Sequence, residues 1–144
     1  MSNIKIVTLI GFFTMFIVGV SDLIVVGMLN EMSKEFHVSN ALIGQLVTLY
    51  AVAFSILSPL LTKVTSQIND KKLLVSCLIL FIIFSMLTTV MTNYFFLCIV
   101  RIFMAGIASL ITVKLMSTGA NIVPVEYKAS VIANIYVGFS AANI

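Results

Sequence analysis

Long apolar runs limit the fold of this chain more than any other feature of its sequence. Five runs follow one another, over residues 6–29, 41–61, 73–92, 95–120 and 129–144. A transmembrane α-helix needs about 20 apolar residues, and the first four runs reach that length. The fifth, with about 16 residues, falls short of a full crossing. The sequence therefore predicts an all-α fold, a polytopic transmembrane helix bundle with four complete helices and the start of a fifth.

The composition excludes a soluble domain. Charged residues make up 9% of the 144 residues, against about 25% in soluble domains, and the mean hydropathy is +1.21. The spacings of metal ligands, phosphate-binding loops and Ser/His/Asp catalysis do not occur, so we expect neither an enzyme nor a metal or cofactor. Cys77 and Cys98 lie near opposite membrane faces and are not expected to bond. His37 is expected to be a solvated loop residue.

Lysines between the apolar runs predict the orientation of the chain. If the helices alternate in direction, one membrane side receives five lysines and the other side receives only Lys34. The five are Lys5, Lys63, Lys71, Lys72 and Lys128. Because positive loops stay on the cytoplasmic side, the N-terminus is predicted to be cytoplasmic. The protein is expected to be a multi-pass protein of the cell membrane, plasma or inner.

Three ionisable residues, Asp22, Arg101 and Lys114, lie inside the apolar runs. A charge within a span is costly and by default marks a functional site. At 1.5 Å per residue, Asp22 lies about 10 Å and Arg101 about 9 Å from the outer ends of their helices, which predicts a pair. That pair could couple protons or be a purely structural salt bridge. Lys114 could snorkel toward the cytoplasmic headgroups or face a substrate or partner.

Small and polar residues indicate which helices are central. Gly11, Gly19 and Gly27 are spaced by eight in the first run, and small residues let helices approach closely. The run over residues 73–92 has no glycine, so the first helix is predicted to be central and the third peripheral. Three polar residues within the runs are predicted to bond between helices or to line a pore: Tyr50, Asn134 and Asn143.

The first two helices resemble those of major facilitator superfamily transporters, in the segment GVSDLIVVGMLNEMSKEFHVSNALIGQLVTLYAVAFSILSPLL. The resemblance is closest to the drug:proton antiporter branch, which includes arabinose and sugar efflux permeases. Four residues fall on the acidic, glycine, tyrosine and proline positions of that branch, namely Asp22, Gly27, Tyr50 and Pro59. Asn30 stands where the branch usually has a proline.

The fourth helix and the start of the fifth extend the resemblance. A motif similar to the family's Arg-x-x-x-Gly motif B occurs as IVRIFMAG, with Arg101 at the arginine and Ala105 at the glycine position. In the family, that arginine is thought to assist proton transfer. The later segment PVEYKASVIANIYVGFSAAN resembles the start of helix 5, with matches at Pro124, Lys128, Gly138 and Asn143.

The segment between the second and third runs departs from the family's motif A, Gly-x-Leu-Ala-Asp-Arg-x-Gly-Arg-Arg. Other residues replace its first Gly, its Asp, its first Arg, its second Gly and a basic residue. In that order they are Thr62, Ser66, Gln67, Asn69 and Asp70. Lys71 and Lys72 keep the positive charge. The resemblance implies a degenerate gating loop here.

The resemblance implies proton-coupled efflux of a small organic solute, of drug or sugar type, by alternating access. Asp22 would take part in proton coupling, with Arg101 as its partner. Candidate residues of the substrate cavity are Met15, Val18, Val25, Tyr50, Met104, Ser109 and Asn143. The implied partners are the lipid bilayer, protons, the organic substrate and the missing C-terminal half of the transporter, with no nucleic acid.

The short length favours an incomplete chain, in which residues 1–144 are a partial N-terminal transmembrane domain that does not transport alone. One alternative is a complete small four-helix membrane protein that exports as a homo-oligomer. Small multidrug exporters also carry one acidic residue in helix 1, but they usually contain tryptophan, which this chain lacks. The other alternative is a non-transporting membrane subunit.

Overall fold

A computed structural model describes residues 2–142 of the chain. Within these residues the backbone forms six α-helices and no β-strand. The helices are α1 (Ser2–Gly27), α2 (Leu29–Glu35), α3 (Asn40–Val64), α4 (Asp70–Val90), α5 (Tyr94–Asn121) and α6 (Val125–Ala141).

Four helices, α1, α3, α4 and α5, are long and apolar enough to cross a membrane. The last helix, α6, has 17 residues. At 1.5 Å per residue it is about 26 Å long, short of the roughly 30 Å of a hydrocarbon core. The predicted fold class is therefore confirmed: the chain is an all-α, polytopic transmembrane helix bundle.

The first turns of the helices contain polar residues that lie outside the predicted apolar runs. Ser39 caps α3, its hydroxyl accepting a hydrogen bond from the Leu42 N–H at 3.3 Å. Asn93 precedes α5, and its side-chain oxygen accepts from the Phe95 N–H at 2.9 Å. Such side chains satisfy first-turn N–H groups, so a helix can begin among polar residues. For this reason α3 and α5 each begin one residue before their apolar runs.

The short helix α2 lies in the polar segment between α1 and α3. It packs against α3, and its apolar residues Leu29 and Met32 join a cluster centred on Val25, Ile43 and Leu97. The apolar side of this connection therefore helps to fix the start of α3. His37 follows α2 in the left-handed region, with a φ of 53°, and it is exposed as predicted.

The chain forms two compact units. One unit is Ile24–Ile111, and the other consists of the residues up to Leu23 together with those from Thr112 onward. In the Ile24–Ile111 unit, the hydroxyl of Tyr94 donates a hydrogen bond to the carbonyl oxygen of Leu42 at 2.8 Å. That bond joins the first turns of α3 and α5.

Close contacts of glycine define the packing of the other unit. A Cβ atom on Gly11 would lie 2.8 Å from Cγ1 of Ile135, and one on Gly19 would lie 3.1 Å from the carbonyl oxygen of Phe139. Both contacts join α1 to α6, and the residue numbers rise together along the two helices, so these helices run parallel. The prediction that these glycines allow close approach is confirmed. It is wrong for Gly27, which faces open space.

Among the four spans, α5 is the most buried. Its most apolar stretch is 56% buried, against 33% in α1 and 17% in α4. The greater burial of α1 than of α4 agrees with the predicted central position of the first helix, although α1 also keeps a wide exposed apolar side. The predicted peripheral position of residues 73–92 is confirmed, since only Cys77 and Phe81 are buried on α4.

The first turn of α4 offers a stability prediction. The side-chain oxygen of Asn69 accepts hydrogen bonds from the N–H groups of Lys71 at 3.1 Å and Lys72 at 3.4 Å. Asn69→Ala leaves both donors without this acceptor and should destabilise the full-length protein by about 1 kcal/mol. Thermal unfolding followed by far-UV circular dichroism measures the loss. Asn69→Asp should retain stability, and an equal loss in the exposed control Ser66→Ala would contradict the capping role.

Candidate functional site

Asp22, Arg101 and Lys114 lie well inside the transmembrane helices. Asp22 is half-buried on α1, whereas Arg101 and Lys114 on α5 are 3% and 8% exposed. All three interact with other groups of the protein. Charged side chains in a span face the bundle interior or a water-filled cavity and avoid lipid, and the burial of both cations agrees with that rule.

The position of Arg101 follows from the buried stripe of α5. Leu97, Met104, Ala108 and Ile111 are each at most 1% exposed, and with Arg101 they recur every three or four residues. That spacing places them along one side of a helix. Since a guanidinium stays charged at any physiological pH, α5 holds a permanent positive charge within the helix packing.

The burial of Lys114 does not support the expectation that its side chain snorkels along lipid. A snorkelling lysine lies along lipid-facing apolar surface, and such a side chain would be exposed in the protein alone. At 8% exposure, Lys114 is buried among protein groups instead. Its burial favours the alternative, a lysine that faces a partner group or a substrate.

Asp22 and Arg101 belong to different units of the chain. Asp22 lies one residue before the boundary at Leu23, and Arg101 lies on the part of α5 in the unit Ile24–Ile111. Their pairing, and their part in proton coupling, stay predictions.

The predicted cavity residues within residues 2–142 are all buried. Met15, Val18, Val25, Tyr50, Met104 and Ser109 are each at most 5% exposed. Tyr50 also lies beside Phe54, with 6.4 Å between the ring centroids. A solute could reach these side chains only after a movement of the helices, so cavity lining stays a prediction. Asn143 lies outside the described residues.

The degenerate motif A segment contains the end of α3 and the start of α4. Thr62 lies within α3, which continues through Pro59 to Val64. Ser66, Gln67 and Asn69 are exposed in the connection, Asp70 is half-buried at the first position of α4, and Lys71 and Lys72 are exposed. The negative charge of Asp70 is favourable at the N-terminus of α4. Asn69 thus caps α4 in this segment, and gating stays a prediction.

A groove of about 760 Å³ runs between α1 and α6. We call it the α1–α6 groove. Its lining is Ile4, Lys5, Thr8, Leu9, Phe12, Val123, Pro124, Tyr127, Ser130, Val131, Asn134 and Val137. A smaller groove of about 400 Å³ lies between α3 and α5 in the other unit, lined by Gln45, Thr48, Leu49, Val52, Tyr94 and Cys98.

Sequence reasoning missed most of the polar side of the α1–α6 groove. It singled out Asn134 but passed over Tyr127 and Ser130. These three are spaced at i, i+3 and i+7, which places them on one face of a helix. This spacing in the sequence could have identified them as one polar face. Among the described residues, no group of three or more His, Cys, Asp or Glu side chains could hold a metal ion, and Cys77 and Cys98 are unbonded thiols.

Comparisons with known proteins concern nearly the whole chain. The family model of the Major Facilitator Superfamily matches residues 11–144. The chain is 30% identical over 129 residues to YbcL, an uncharacterized MFS-type transporter of Bacillus subtilis (strain 168), covering 90% of this chain and 33% of YbcL. It is 26% identical over 140 residues to YfhI, another uncharacterized MFS-type transporter of that strain, covering 97% of this chain and 35% of YfhI.

The chain thus spans about a third of the length of these curated relatives. No solved structure shows a significant match to it.

Proposed function

Because the chain belongs to the major facilitator superfamily, we propose that it forms the N-terminal part of a membrane transporter. The intact protein exports a small organic solute, of drug or sugar type, in exchange for protons. It works by alternating access: two helical halves rock about a site near the middle of the membrane. The N-terminus lies in the cytoplasm, and the membrane is the cell membrane.

The observation that carries this proposal is the set of ionisable residues inside the spans. Asp22 is half-buried and Arg101 is buried, although each lies on a helix of mean hydropathy above 2. A structural role alone does not explain why charged residues occur in these helices, because a buried ion pair adds little net stability. A carboxylate in a transmembrane helix can instead bind and release a proton during the transport cycle.

Arg101 supplies the cation that makes proton exchange at Asp22 useful. When Asp22 is ionised, the guanidinium can neutralise it; when Asp22 binds a proton, the cation is released to act elsewhere. This exchange links proton binding to the arrangement of the helices. The buried residues Met15, Val18, Val25, Tyr50, Met104 and Ser109 become cavity lining when the halves move.

Everted membrane vesicles that hold the full-length protein test the proposal. Ethidium serves as the probe of drug type and radiolabelled arabinose as the probe of sugar type. Export in the cell becomes uptake in everted vesicles, so an acidic interior should drive accumulation of one probe. Adding nigericin, which collapses the pH gradient, should stop it. Accumulation that nigericin leaves unchanged would contradict proton coupling, and no gradient-driven movement of either probe would contradict the proposed substrate types.

A further inference from the structure

Helices α3 and α5 pack along one another within the unit Ile24–Ile111. In their first turns, the hydroxyl of Tyr94 bonds to the carbonyl oxygen of Leu42. Further along, a Cβ atom on Gly106 would lie 3.1 Å from Cδ1 of Leu57. Since the residue numbers rise together from one contact to the next, the two helices run parallel. Residues between these contacts can therefore be compared level by level.

Tyr50 and Arg101 lie at the same level of these two helices. Leu46 of α3 and Leu97 of α5 belong to one buried core cluster. Tyr50 follows Leu46 by four residues, and Arg101 follows Leu97 by four residues. Residues at i and i+4 share one face of a helix. One helical turn beyond the cluster, Tyr50 and Arg101 thus take the places that Leu46 and Leu97 hold within it.

The two side chains are both buried and chemically complementary. Tyr50 is 5% and Arg101 is 3% exposed, and each interacts with other groups of the protein. The other polar residues in this stretch of α3 are exposed, namely Gln45, Thr48 and Ser55. A guanidinium donates hydrogen bonds and accepts none, whereas a phenol hydroxyl can accept as well as donate. Because the axes of packed helices lie about 8–10 Å apart, a tyrosine and an arginine can meet between them.

We infer that Tyr50 is a positioning residue, whose phenol oxygen accepts a hydrogen bond from the guanidinium of Arg101. The inference rests on the proposed proton exchange, in which Arg101 loses its counter-charge whenever Asp22 binds a proton. A buried cation without compensation is unfavourable. The Tyr50 hydroxyl stabilises the cation in that step and keeps it in place until Asp22 is ionised again. The ring of Tyr50 can still line the proposed cavity.

Thermal unfolding of the full-length protein in detergent tests the contact without any transport. Tyr50→Phe keeps the ring and removes the hydroxyl, so it should lower the unfolding temperature of the parent protein. In an Arg101→Met background the same change should have little effect, because the guanidinium is gone. The matched control is Tyr94→Phe, which also removes a hydrogen bond between α3 and α5. Tyr94 lies about 10 Å from Arg101 along α5, so its loss should be equal in both backgrounds. An equal loss for Tyr50→Phe in both backgrounds would overturn the contact.

Everted vesicles separate positioning from a purely structural role. With the probe that the parent protein accumulates, Tyr50→Phe should lower proton-driven accumulation about tenfold, as expected for the loss of one hydrogen bond to a charged group. Downhill exchange, which needs no proton, should stay at the parent rate, and Tyr94→Phe should leave both measurements unchanged. Unchanged accumulation in Tyr50→Phe, or an equal loss of accumulation and downhill exchange, would overturn the positioning role. A parent protein that accumulates neither probe would contradict the proposed function, whereas the unfolding comparison would still decide whether Tyr50 contacts Arg101.

Discussion

Asp22→Asn in the full-length protein should abolish proton-driven efflux and leave membrane insertion intact. Asparagine has nearly the volume of aspartate and can keep hydrogen bonds, but it binds no proton at physiological pH. If Asp22 carries the coupled proton, uphill movement of the probe in everted vesicles should fall to the level of vesicles without the protein. Downhill exchange of the same probe should persist, because the helices can still rearrange around a neutral side chain.

The matched control removes a carboxylate of the same unit that is exposed. Glu126 lies in the first turn of α6 and is solvent-accessible, so Glu126→Gln should leave uphill efflux unchanged. Uphill efflux that survives in Asp22→Asn would remove Asp22 from the coupling mechanism. Loss of both uphill and downhill movement, together with a lower unfolding temperature, would instead assign Asp22 to structure.

Arg101 is the proposed partner of Asp22. Because the guanidinium is 3% exposed, it cannot lower its energy by reaching water at the membrane surface. If Arg101 is the partner of Asp22, as we propose, downhill exchange should be slower in Asp22→Asn, which leaves the cation alone, than in the double variant Asp22→Asn with Arg101→Gln. A double-mutant comparison of the rates of downhill exchange measures that coupling.

The number and type of helices could be predicted from the sequence, because hydrocarbon thickness sets a length that an apolar run must reach. The helix ends could not be placed so well. Asn69 and Asn93 cap helices from polar connections. A pattern of apolar residues does not indicate the side-chain hydrogen bonds with which a helix begins. Pro59 likewise suggests an end to α3, yet the helix continues to Val64, as tertiary packing allows in membrane helices.

For the candidate site, the sequence indicated which residues are unusual but not where they face. A charge within an apolar run is visible from composition alone, so Asp22, Arg101 and Lys114 could be identified. The burial of Lys114 could not be predicted, because it depends on which helix is surrounded by others. The α1–α6 groove depends in the same way on a contact between residues more than a hundred positions apart, which no local spacing specifies.

Gly138→Ala should destabilise the full-length protein by about 1–3 kcal/mol, the usual effect of overpacking a tight contact. A Cβ atom at Gly138 would collide with the backbone of Phe12, lying 2.9 Å from its carbonyl carbon and 3.1 Å from its Cα. Backbone atoms of a packed helix cannot rotate away, so α1 and α6 would have to separate. Phe12→Ala should not rescue the variant, because the collision is with the Phe12 backbone.

Two other glycines supply the controls for this prediction. Gly44 has no atom within 4 Å of an added Cβ, so Gly44→Ala should be neutral or about 0.5–1 kcal/mol more stable through helix propensity. In Gly119→Ala the added atom would meet Cδ1 of Ile135 at 2.8 Å, the flexible end of a side chain, and Ile135→Val should relieve that contact. Far-UV circular dichroism during heating compares the variants. A Gly138→Ala protein as stable as Gly44→Ala would show that α1 and α6 do not pack this closely, because no rotamer change can remove a clash with backbone.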